Sequence, residues 1–173
     1  MANLSFLSII HTFVAILAIL VAFYGLLKSG RINPASDVGR LYTLFTVISC
    51  LSSLPIMKTG HPGIGHAIAV IILILLPIGV QARSIKLFRR NAIYVQTILM
   101  SATLFLSLIP AITETLTRLP PYDPIADSPK APVIQISILI LTVIFIFGVS
   151  YQLNRLRPRR RSIKTENSKL DLG

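Results

Sequence analysis

The sequence predicts an all-α integral membrane protein, built as a bundle of five transmembrane helices. Hydrophobic residues make up 53% of the chain, charged residues only 13%, and the mean hydropathy is +0.75. A small soluble domain needs a more polar surface than this composition provides. The apolar runs also lack the alternating polar and apolar residues of membrane β-barrel strands, so helices are the expected spanning elements.

Five stretches without Asp, Glu, Lys or Arg are long enough to approach or cross a hydrocarbon core of about 30 Å. They are residues 6–27, 41–57, 62–82, 91–113 and 131–154, of which the second is the shortest. No Lys or Arg precedes the first span, which therefore lacks the basic start of a cleavable signal peptide and is expected to be retained. Cys50 is the only cysteine, so no intrachain disulfide can form.

The distribution of basic residues predicts the orientation. Fourteen of the seventeen Lys and Arg residues fall in the first connection, the third connection and the segment after the fifth span. The positive-inside rule then puts the N-terminus outside and the C-terminus in the cytoplasm of a multi-pass membrane protein. Four of the five tyrosines lie near the predicted cytoplasmic ends of their helices, where amphipathic rings prefer the headgroup layer. They are Tyr24, Tyr42, Tyr94 and Tyr151.

The last segment, residues 155–173, is basic and predicted to be disordered. Its run RLRPRRRSIK directly follows a span. Basic residues at that position attract anionic lipid headgroups. Nucleic-acid binding is not expected despite a net charge of +11, because the segment has neither a folded module nor interleaved aromatic residues.

The connections are short, so neighbouring helices should pack antiparallel in a single bundle. Asp37 is the predicted N-cap of the second helix. Residues 119–132 hold five of the eleven prolines and predict an ordered, non-helical cap on the outer end. Pro55 and Pro110 lie toward the same end of their helices. Proline kinks there would splay the helices and favour an external cavity.

Two helix faces are predicted to point into the bundle. His11, Ala15, Ala18, Ala22 and Gly25 share one stripe of the first helix. Small residues allow close helix packing, either within the chain or against a second copy in a homo-oligomer. On the fourth helix, Gln96, Thr103, Ser107 and Glu114 share a polar face. Polar groups are costly in lipid, so this face should also be inward.

These elements predict a polar cluster at the external end. Its candidate ligand-binding residues are His11, His61, His66, Glu114, Arg118, Thr113 and Ser107. In the simplest interpretation, Glu114 pairs with Arg118 at i+4, the hydroxyls bond backbone carbonyls and the histidines satisfy loop groups. A site with a titrating Glu114 for a proton or small ligand is the second interpretation.

Two cofactor interpretations of the same cluster also stay open. A metal such as zinc or iron would be held by His11, His61 or His66 together with Glu114, although no compact histidine motif is present. Axial haem ligation by His11 and His66 is the other, since both side chains are expected to point inward at similar depth. The sequence leaves the cofactor open.

No catalytic motif occurs, since the sequence has no Gly-rich phosphate loop, nucleophile elbow or metalloprotease helix. An enzyme is therefore not expected. The leading expectation is a membrane protein that binds or transports a small ligand, metal or proton through the polar cluster. The alternative is a structural or accessory subunit of a larger membrane complex, and a lesser alternative is a bis-histidine haem protein.

Three stretches, VGRLYTLFTVISCLSS, HPGIGHAIAV and IPAITETLTRLPP, carry a resemblance to other proteins. Together with the segment that follows, they resemble a family of small bacterial inner-membrane proteins of unknown function. The likeness runs from Gly39 to about Asn154, and TETLTRLP is its most specific part. It implies a bacterial multi-pass protein and supplies no activity.

Overall fold

The computed structural model describes residues 6–55, 63–120 and 122–170, with side chains up to residue 156. These ranges contain five α-helices and no strand. The helices are α1 Phe6–Ser29, α2 Asp37–Ser53, α3 Ile64–Gln81, α4 Ala92–Arg118 and α5 Pro132–Leu170, with a short 3-10 turn, Lys86–Phe88, before α4. The prediction of an all-α fold is confirmed.

Four of the helices are long and apolar enough to cross a membrane. They are α1, α3, α4 and the part of α5 from Pro132 to Leu156. α2 is not among them, because its 17 residues span only about 25 Å and its sequence is rich in hydroxyl side chains. Four of the five predicted spans are thus supported, and a membrane crossing by α2 stays a prediction.

The N-cap of α2 lies one residue earlier than the sequence predicts. Ser36, not Asp37, is the N-cap, and its hydroxyl accepts a hydrogen bond from the Gly39 N–H at 3.2 Å. Asp37 is the first helical residue, and its side chain is 98% exposed and 3.9 Å from the Arg40 guanidinium. The Asp37 carboxylate therefore lies in the first turn of α2, where its negative charge still interacts favourably with the helix dipole.

α5 is much longer than its predicted span. Its helical backbone continues to Leu170, through most of the segment 155–173 that the sequence predicts to be disordered. A helix that is already formed grows by one hydrogen bond per added residue, and Arg and Lys have good helix propensity. The basic composition therefore does not by itself end the helix.

The bundle has two distinct ends because consecutive helices run antiparallel. The basic end contains the C-terminal ends of α1 and α3 and the N-terminal ends of α2 and α4. It carries Lys28, Arg31, Arg40, Arg83, Lys86, Arg89 and Arg90. Arg155 of α5 also reaches this end, where its guanidinium lies against Gly30. The opposite end contains the N-termini of α1, α3 and α5 and the segment after α4.

The small-residue stripe of α1 packs inside the chain, which is one of the two arrangements that the sequence leaves open. Ala18, Ala22 and Gly25 are the buried residues of α1. A Cβ atom at Gly25 would lie 3.3 Å from Val38 Cγ1, so α1 and α2 are in close contact there. The main hydrophobic cluster forms around this contact. Its buried members are Ala18, Ala22, Ile32, Tyr42, Leu76, Met100 and Leu104.

The polar face of α4 is buried only over part of its length. Gln96 and Thr103 are 2% and 0% exposed, and Ser107 is half-buried. Glu114, about five turns beyond Gln96 and two turns beyond Ser107, is exposed. The prediction of an inward polar face therefore holds near the basic end and is wrong at Glu114, whose side chain is close to half exposed.

The segment after α4 closes over the end of that helix without forming a helix itself in its described residues. The Ala126 N–H donates to the Leu116 carbonyl at 3.0 Å, and the Ile125 N–H donates to the Leu119 carbonyl at 3.2 Å. Ala126 is buried. The predicted non-helical cap is confirmed, and it covers the helix end beside Leu116 rather than Glu114.

Candidate functional site

Glu114 and Arg118 form an ion pair at the end of α4. The Arg118 Nε atom lies 2.7 Å from Glu114 Oε2, and the two side chains are 42% and 48% exposed respectively. Residues four apart lie on one helix face, so this geometry is local to α4. The pair is the surface arrangement that the simplest interpretation predicts, and Glu114 does not lie desolvated under the cap.

The two hydroxyl candidates bond within their own helix. Ser107 Oγ donates to the Thr103 carbonyl at 2.9 Å, and Thr113 Oγ1 donates to the Ile109 carbonyl at 2.9 Å. Each is the i to i−4 bond that satisfies a hydroxyl in an apolar helix. Ser107 and Thr113 thus have local partners that account for their polarity.

His11 connects α1 to α2. Its Nδ1 atom lies 2.9 Å from the Ser49 carbonyl oxygen and 3.2 Å from Ser52 Oγ. Because a carbonyl oxygen only accepts, Nδ1 carries the proton in this contact. The predicted inward direction of His11 is confirmed, and its partners belong to α2 rather than to the Glu114 region.

His66 folds back on the start of its own helix. Its Nδ1 atom accepts a hydrogen bond from the Gly63 N–H at 3.2 Å, as part of the cap of α3. Neutral His66 then carries its proton on Nε2. A histidine that binds iron or zinc through Nε2 instead donates from Nδ1, so His66 does not fit the proposed haem ligation in this arrangement. His61 lies outside the described residues.

The metal candidates are not brought together. Among the described residues, no three His, Cys, Asp or Glu side chains are grouped closely enough to hold one metal ion. His11, His66 and Glu114 are each engaged in a different local contact: α2, the α3 cap and Arg118. The described structure thus gives these three residues separate partners, and a metal site built from them stays a prediction.

A cleft opens between α1, α4 and α5. The sequence does not predict the residues that line it. Its volume is about 460 Å³. It is lined by Ile19, Leu108, Ala111, Ile112, Thr115, Leu116 and Ser137. Both hydroxyls of the lining are already bonded, Thr115 to the Ala111 carbonyl and Ser137 to the Val133 carbonyl. The cleft therefore presents an apolar surface.

The cleft lies beside Pro110 and the last turns of α4. Pro110 lies inside α4, with lining residues on both sides of it. A proline in a helix removes one backbone hydrogen bond and clashes with the preceding turn, which disfavours straight packing against neighbours. Glu114 and Arg118 are near the lining residues Thr115 and Leu116 in sequence, but neither of them lines the cleft. An external cavity was expected near these prolines, but its lining differs from the predicted polar cluster.

A second feature missed by sequence reasoning is a buried polar contact between α2 and α4. The Tyr42 hydroxyl lies 2.9 Å from Thr103 Oγ1, and Thr103 Oγ1 itself donates to the Met100 carbonyl. Tyr42 therefore donates to Thr103. Nearby, Thr46 Oγ1 lies beside the Tyr42 hydroxyl without the geometry of a hydrogen bond. Tyr42 was predicted at the headgroup layer, whereas it is 1% exposed in the core.

Polar contacts also join α4 to α3 and α5. The Gln96 side-chain amide donates to the Gly79 carbonyl at 3.4 Å, and Ser101 Oγ donates to Gln152 Oε1 at 2.9 Å. The polar face of α4 thus holds the bundle together near the basic end.

Comparison of the chain with known protein families, curated proteins and solved structures finds no match, so the resemblance around TETLTRLP stays a prediction.

Proposed function

We propose that the chain is a multi-pass membrane protein that binds a zwitterionic phospholipid in the cleft between α1, α4 and α5. The apolar chain of the ligand occupies the cleft, and its headgroup contacts the Glu114–Arg118 pair. The observation that carries the proposal is the apolar cleft of about 460 Å³ between three candidate membrane spans, with one acidic and one basic side chain on the last two turns of α4. Its volume is in the range of about 300 to 1,000 Å³ typical of small-molecule sites.

The chemistry of the lining favours a lipid chain over a polar solute. Every lining side chain is either aliphatic or a hydroxyl with a backbone partner. A polar solute would lose its hydration there without gaining hydrogen bonds. The three helices that form the cleft are all candidate membrane spans, so acyl chains are the apolar molecules at highest local concentration.

The charge pair favours a zwitterionic headgroup. A carboxylate accepts several hydrogen bonds and a guanidinium donates up to five, so the pair retains bonding capacity when its members bond each other. Both side chains are close to half exposed and accessible from outside the helix. A headgroup with one ammonium and one phosphate complements Glu114 and Arg118, whereas an anionic headgroup meets repulsion from Glu114.

The cellular setting of the proposal comes from the sequence. The resemblance around TETLTRLP implies a bacterial inner membrane, and from the distribution of Lys and Arg we infer that the basic end is cytoplasmic and the Glu114–Arg118 end is outside. The cleft then lies toward the outer leaflet. Substrate transport is not part of the proposal, since a bound lipid is the simplest ligand for this lining.

The test is photolabelling of the reconstituted protein. Phosphatidylethanolamine with a diazirine in its acyl chain is mixed into phosphatidylcholine vesicles, and adducts are located by peptide mass spectrometry. We expect adducts enriched at Ala111, Thr115 and Ser137 over the exposed Ile140 and Ile144 of α5. Ala111→Phe should remove this enrichment, whereas Ile140→Phe should not.

Two further arms separate the parts of this proposal. Phosphatidylglycerol with the same diazirine chain should label the cleft less than phosphatidylethanolamine, and Arg118→Gln should abolish that preference. Labelling that simply follows the exposure of each residue, with no effect of Ala111→Phe, would contradict a lipid site in the cleft. The second candidate function would then be preferred.

That second candidate is an accessory subunit of a homo-oligomer or larger membrane complex. It is favoured by the exposure of α5, since only 6% of its candidate span is buried in the chain. Phe147 and Ile144 on that helix are largely exposed. A single stable complex larger than the monomer, measured by light scattering in mild detergent, would support this candidate.

A further inference from the structure

The connection between α3 and α4 presents an exposed leucine at the basic end of the bundle. It comprises residues 82–91, with the sequence ARSIKLFRRN, and contains the 3-10 turn Lys86–Phe88. Leu87, in the middle of this turn, is 86% exposed. Its side chain is therefore available to an apolar environment outside the chain. The lining of the cleft between α1, α4 and α5 includes no residue of this connection, so the feature is separate from the proposed function.

The turn is held in place by backbone hydrogen bonds and by a buried alanine on each side. The Phe88 N–H donates to the Ile85 carbonyl at 3.1 Å, and the Asn91 N–H donates to the Phe88 carbonyl at 2.7 Å. Ala82, directly after α3, is 0% exposed, and Ala92, at the start of α4, is 8% exposed. The turn is therefore preformed, which reduces the entropy lost when its exposed side chains bind a partner.

Three basic side chains surround the leucine. Arg83, Lys86 and Arg89 are all exposed. Residues three apart lie on the same side of a 3-10 turn, so Lys86 and Arg89 share one side of the connection. The sequence holds no Asp or Glu between Asp37 and Glu114, so the connection has no acidic residue of its own. Because the three side chains are exposed, a phosphate group can reach them from outside the chain, whatever else they contact.

Two residues of α1 show the features of a membrane surface at this end of the bundle. The Lys28 ammonium lies 5.6 Å from the centre of the Tyr24 ring, near the end of α1, and Tyr24 is 54% exposed. A tyrosine ring beside a lysine at a helix end is typical of the headgroup layer. α3 and α4, which flank the connection, are both candidate membrane spans. The connection is therefore expected where both spans reach the bilayer surface.

We propose that this connection binds the surface of an anionic phospholipid bilayer, with Leu87 inserted among the acyl chains and Lys86 and Arg89 bonded to headgroup phosphates. Leucine is favourable in the hydrocarbon region, and basic residues near the surface are attracted to anionic lipid. A guanidinium also bonds phosphate oxygens in pairs, so Arg89 orients the headgroup. A bilayer offers the apolar and the anionic environment side by side, in the arrangement that the turn presents.

The experiment uses a tryptophan to report the environment of the connection. The chain contains no tryptophan, so Ser84→Trp gives a single fluorophore at an exposed position close to Leu87. The full chain is reconstituted in phosphatidylcholine vesicles that contain brominated phosphatidylglycerol or brominated phosphatidylcholine at the same mole fraction. Bromine on an acyl chain quenches tryptophan only at short range. The quenching therefore measures which lipid lies beside residue 84.

We expect phosphatidylglycerol to be preferred over phosphatidylcholine at the reporter by about fivefold or more, because basic residues near the surface attract anionic lipid. Lys86→Gln and Arg89→Gln should each reduce this preference, and the double variant should lose most of it. Arg40→Gln is the matched control, since it removes one exposed charge at the same end outside the connection. Equal quenching by the two lipids, or an equal loss in Arg40→Gln and Arg89→Gln, would overturn the proposal.

A second comparison tests the insertion of Leu87 with all charges intact. In the Ser84→Trp protein, Leu87→Ser should lower quenching by brominated acyl chains and raise quenching by aqueous acrylamide. The matched control is Leu27→Ser, because Leu27 is 87% exposed at the same end but belongs to α1. Gel filtration and circular dichroism check the folding of each variant. Equal quenching in Leu87→Ser and Leu27→Ser would overturn the insertion.

The same reporter separates a bilayer from a soluble partner. A surface for a soluble acidic protein lies in water, where acrylamide would quench the Ser84→Trp fluorophore as strongly as free tryptophan in both kinds of vesicle. That result would overturn the proposal. We expect instead that acrylamide quenches the reporter less than free tryptophan, and least in vesicles that contain phosphatidylglycerol.

Discussion

The Tyr42 hydroxyl lies 2.9 Å from Thr103 Oγ1, and this contact joins α2 to α4 in the buried centre of the bundle. The two residues are 61 positions apart in the sequence. Thr103 gives its own proton to the Met100 carbonyl, so Tyr42 is the donor. The contact explains how a short helix rich in hydroxyl residues is held among more apolar ones.

Tyr42→Phe should lower the free energy of unfolding by about 1 kcal/mol, because the lost bond is buried but Thr103 keeps its bond to Met100. Tyr151→Phe is the control, since Tyr151 is 63% exposed. Reversible unfolding in mixed micelles measures both. A double-mutant cycle with Thr103→Val should give a coupling of about 0.5 kcal/mol or more, and zero coupling would exclude a cooperative contact.

Gly39→Ala should destabilise the protein by about 2 kcal/mol or more, because the added Cβ atom meets the Asn33 carbonyl and no flexible side chain can yield. Gly148→Ala is the matched control in α5, where a Cβ atom would meet nothing within 4 Å. The control should be neutral or gain up to about 1 kcal/mol from helix propensity. Unfolding midpoints of the two variants decide the prediction, and equal midpoints would refute it.

Ala22→Leu should destabilise the bundle by about 1 to 3 kcal/mol. Ala22 is 1% exposed in the contact of α1 with α2, and three extra carbon atoms must push the helices apart. Ile16→Leu on the exposed face of α1 should change little. Thermal stability of the two purified variants is the measurement. Equal stability would mean that the small stripe tolerates larger side chains.

Glu114→Gln should lower stability by no more than about 0.5 kcal/mol, since half-exposed pairs four residues apart contribute little. Asp127→Asn, an exposed acidic residue of the segment after α4, is the control. Both are followed by unfolding across ionic strength, where any loss at Glu114 should shrink with salt. A cost above about 2 kcal/mol would show that Glu114 is desolvated after all.

A reporter fused after residue 164 should be cytoplasmic, and a reporter inserted near Asp123 should be external. The reason is the concentration of Lys and Arg at the basic end. The two reporters together also test whether the chain crosses the bilayer between the two positions. Both reporters on one side would require that α5 does not span, despite its apolar length.

Much of the helical arrangement follows from local sequence. The starts of α3 and α4 fall within two residues of the predicted spans, because each begins where a charged or turn-forming segment ends. Ala18 and Ala22 were also found from spacing alone. Small residues four apart share a face, and that face is where another helix approaches closest.

Sequence periodicity shows on which face of a helix a polar residue lies, but not which residue it contacts. The polar residues were therefore harder to interpret. Spacing puts Gln96, Thr103 and Glu114 on one face of α4, yet Gln96 and Thr103 are buried and Glu114 is exposed. The difference lies in the partner of each residue: Gln96 bonds Gly79 of α3 and Thr103 contacts Tyr42 of α2, whereas Glu114 pairs with Arg118 of its own helix. The polar residues of α4 keep the same spacing along the whole helix, so their spacing cannot predict which of them are buried and which are exposed.

The sequence by itself therefore determined the class of protein, the helices and the faces on which small and polar residues lie, since composition and the period of 3.6 residues are local properties. Only the tertiary structure decided that His11 bonds α2, that His66 caps α3, and that Arg155 joins the loop at Gly30. These contacts depend on which helices pack together and at what height. That packing is a sum over many distant pairs of residues, which no short stretch of the chain specifies.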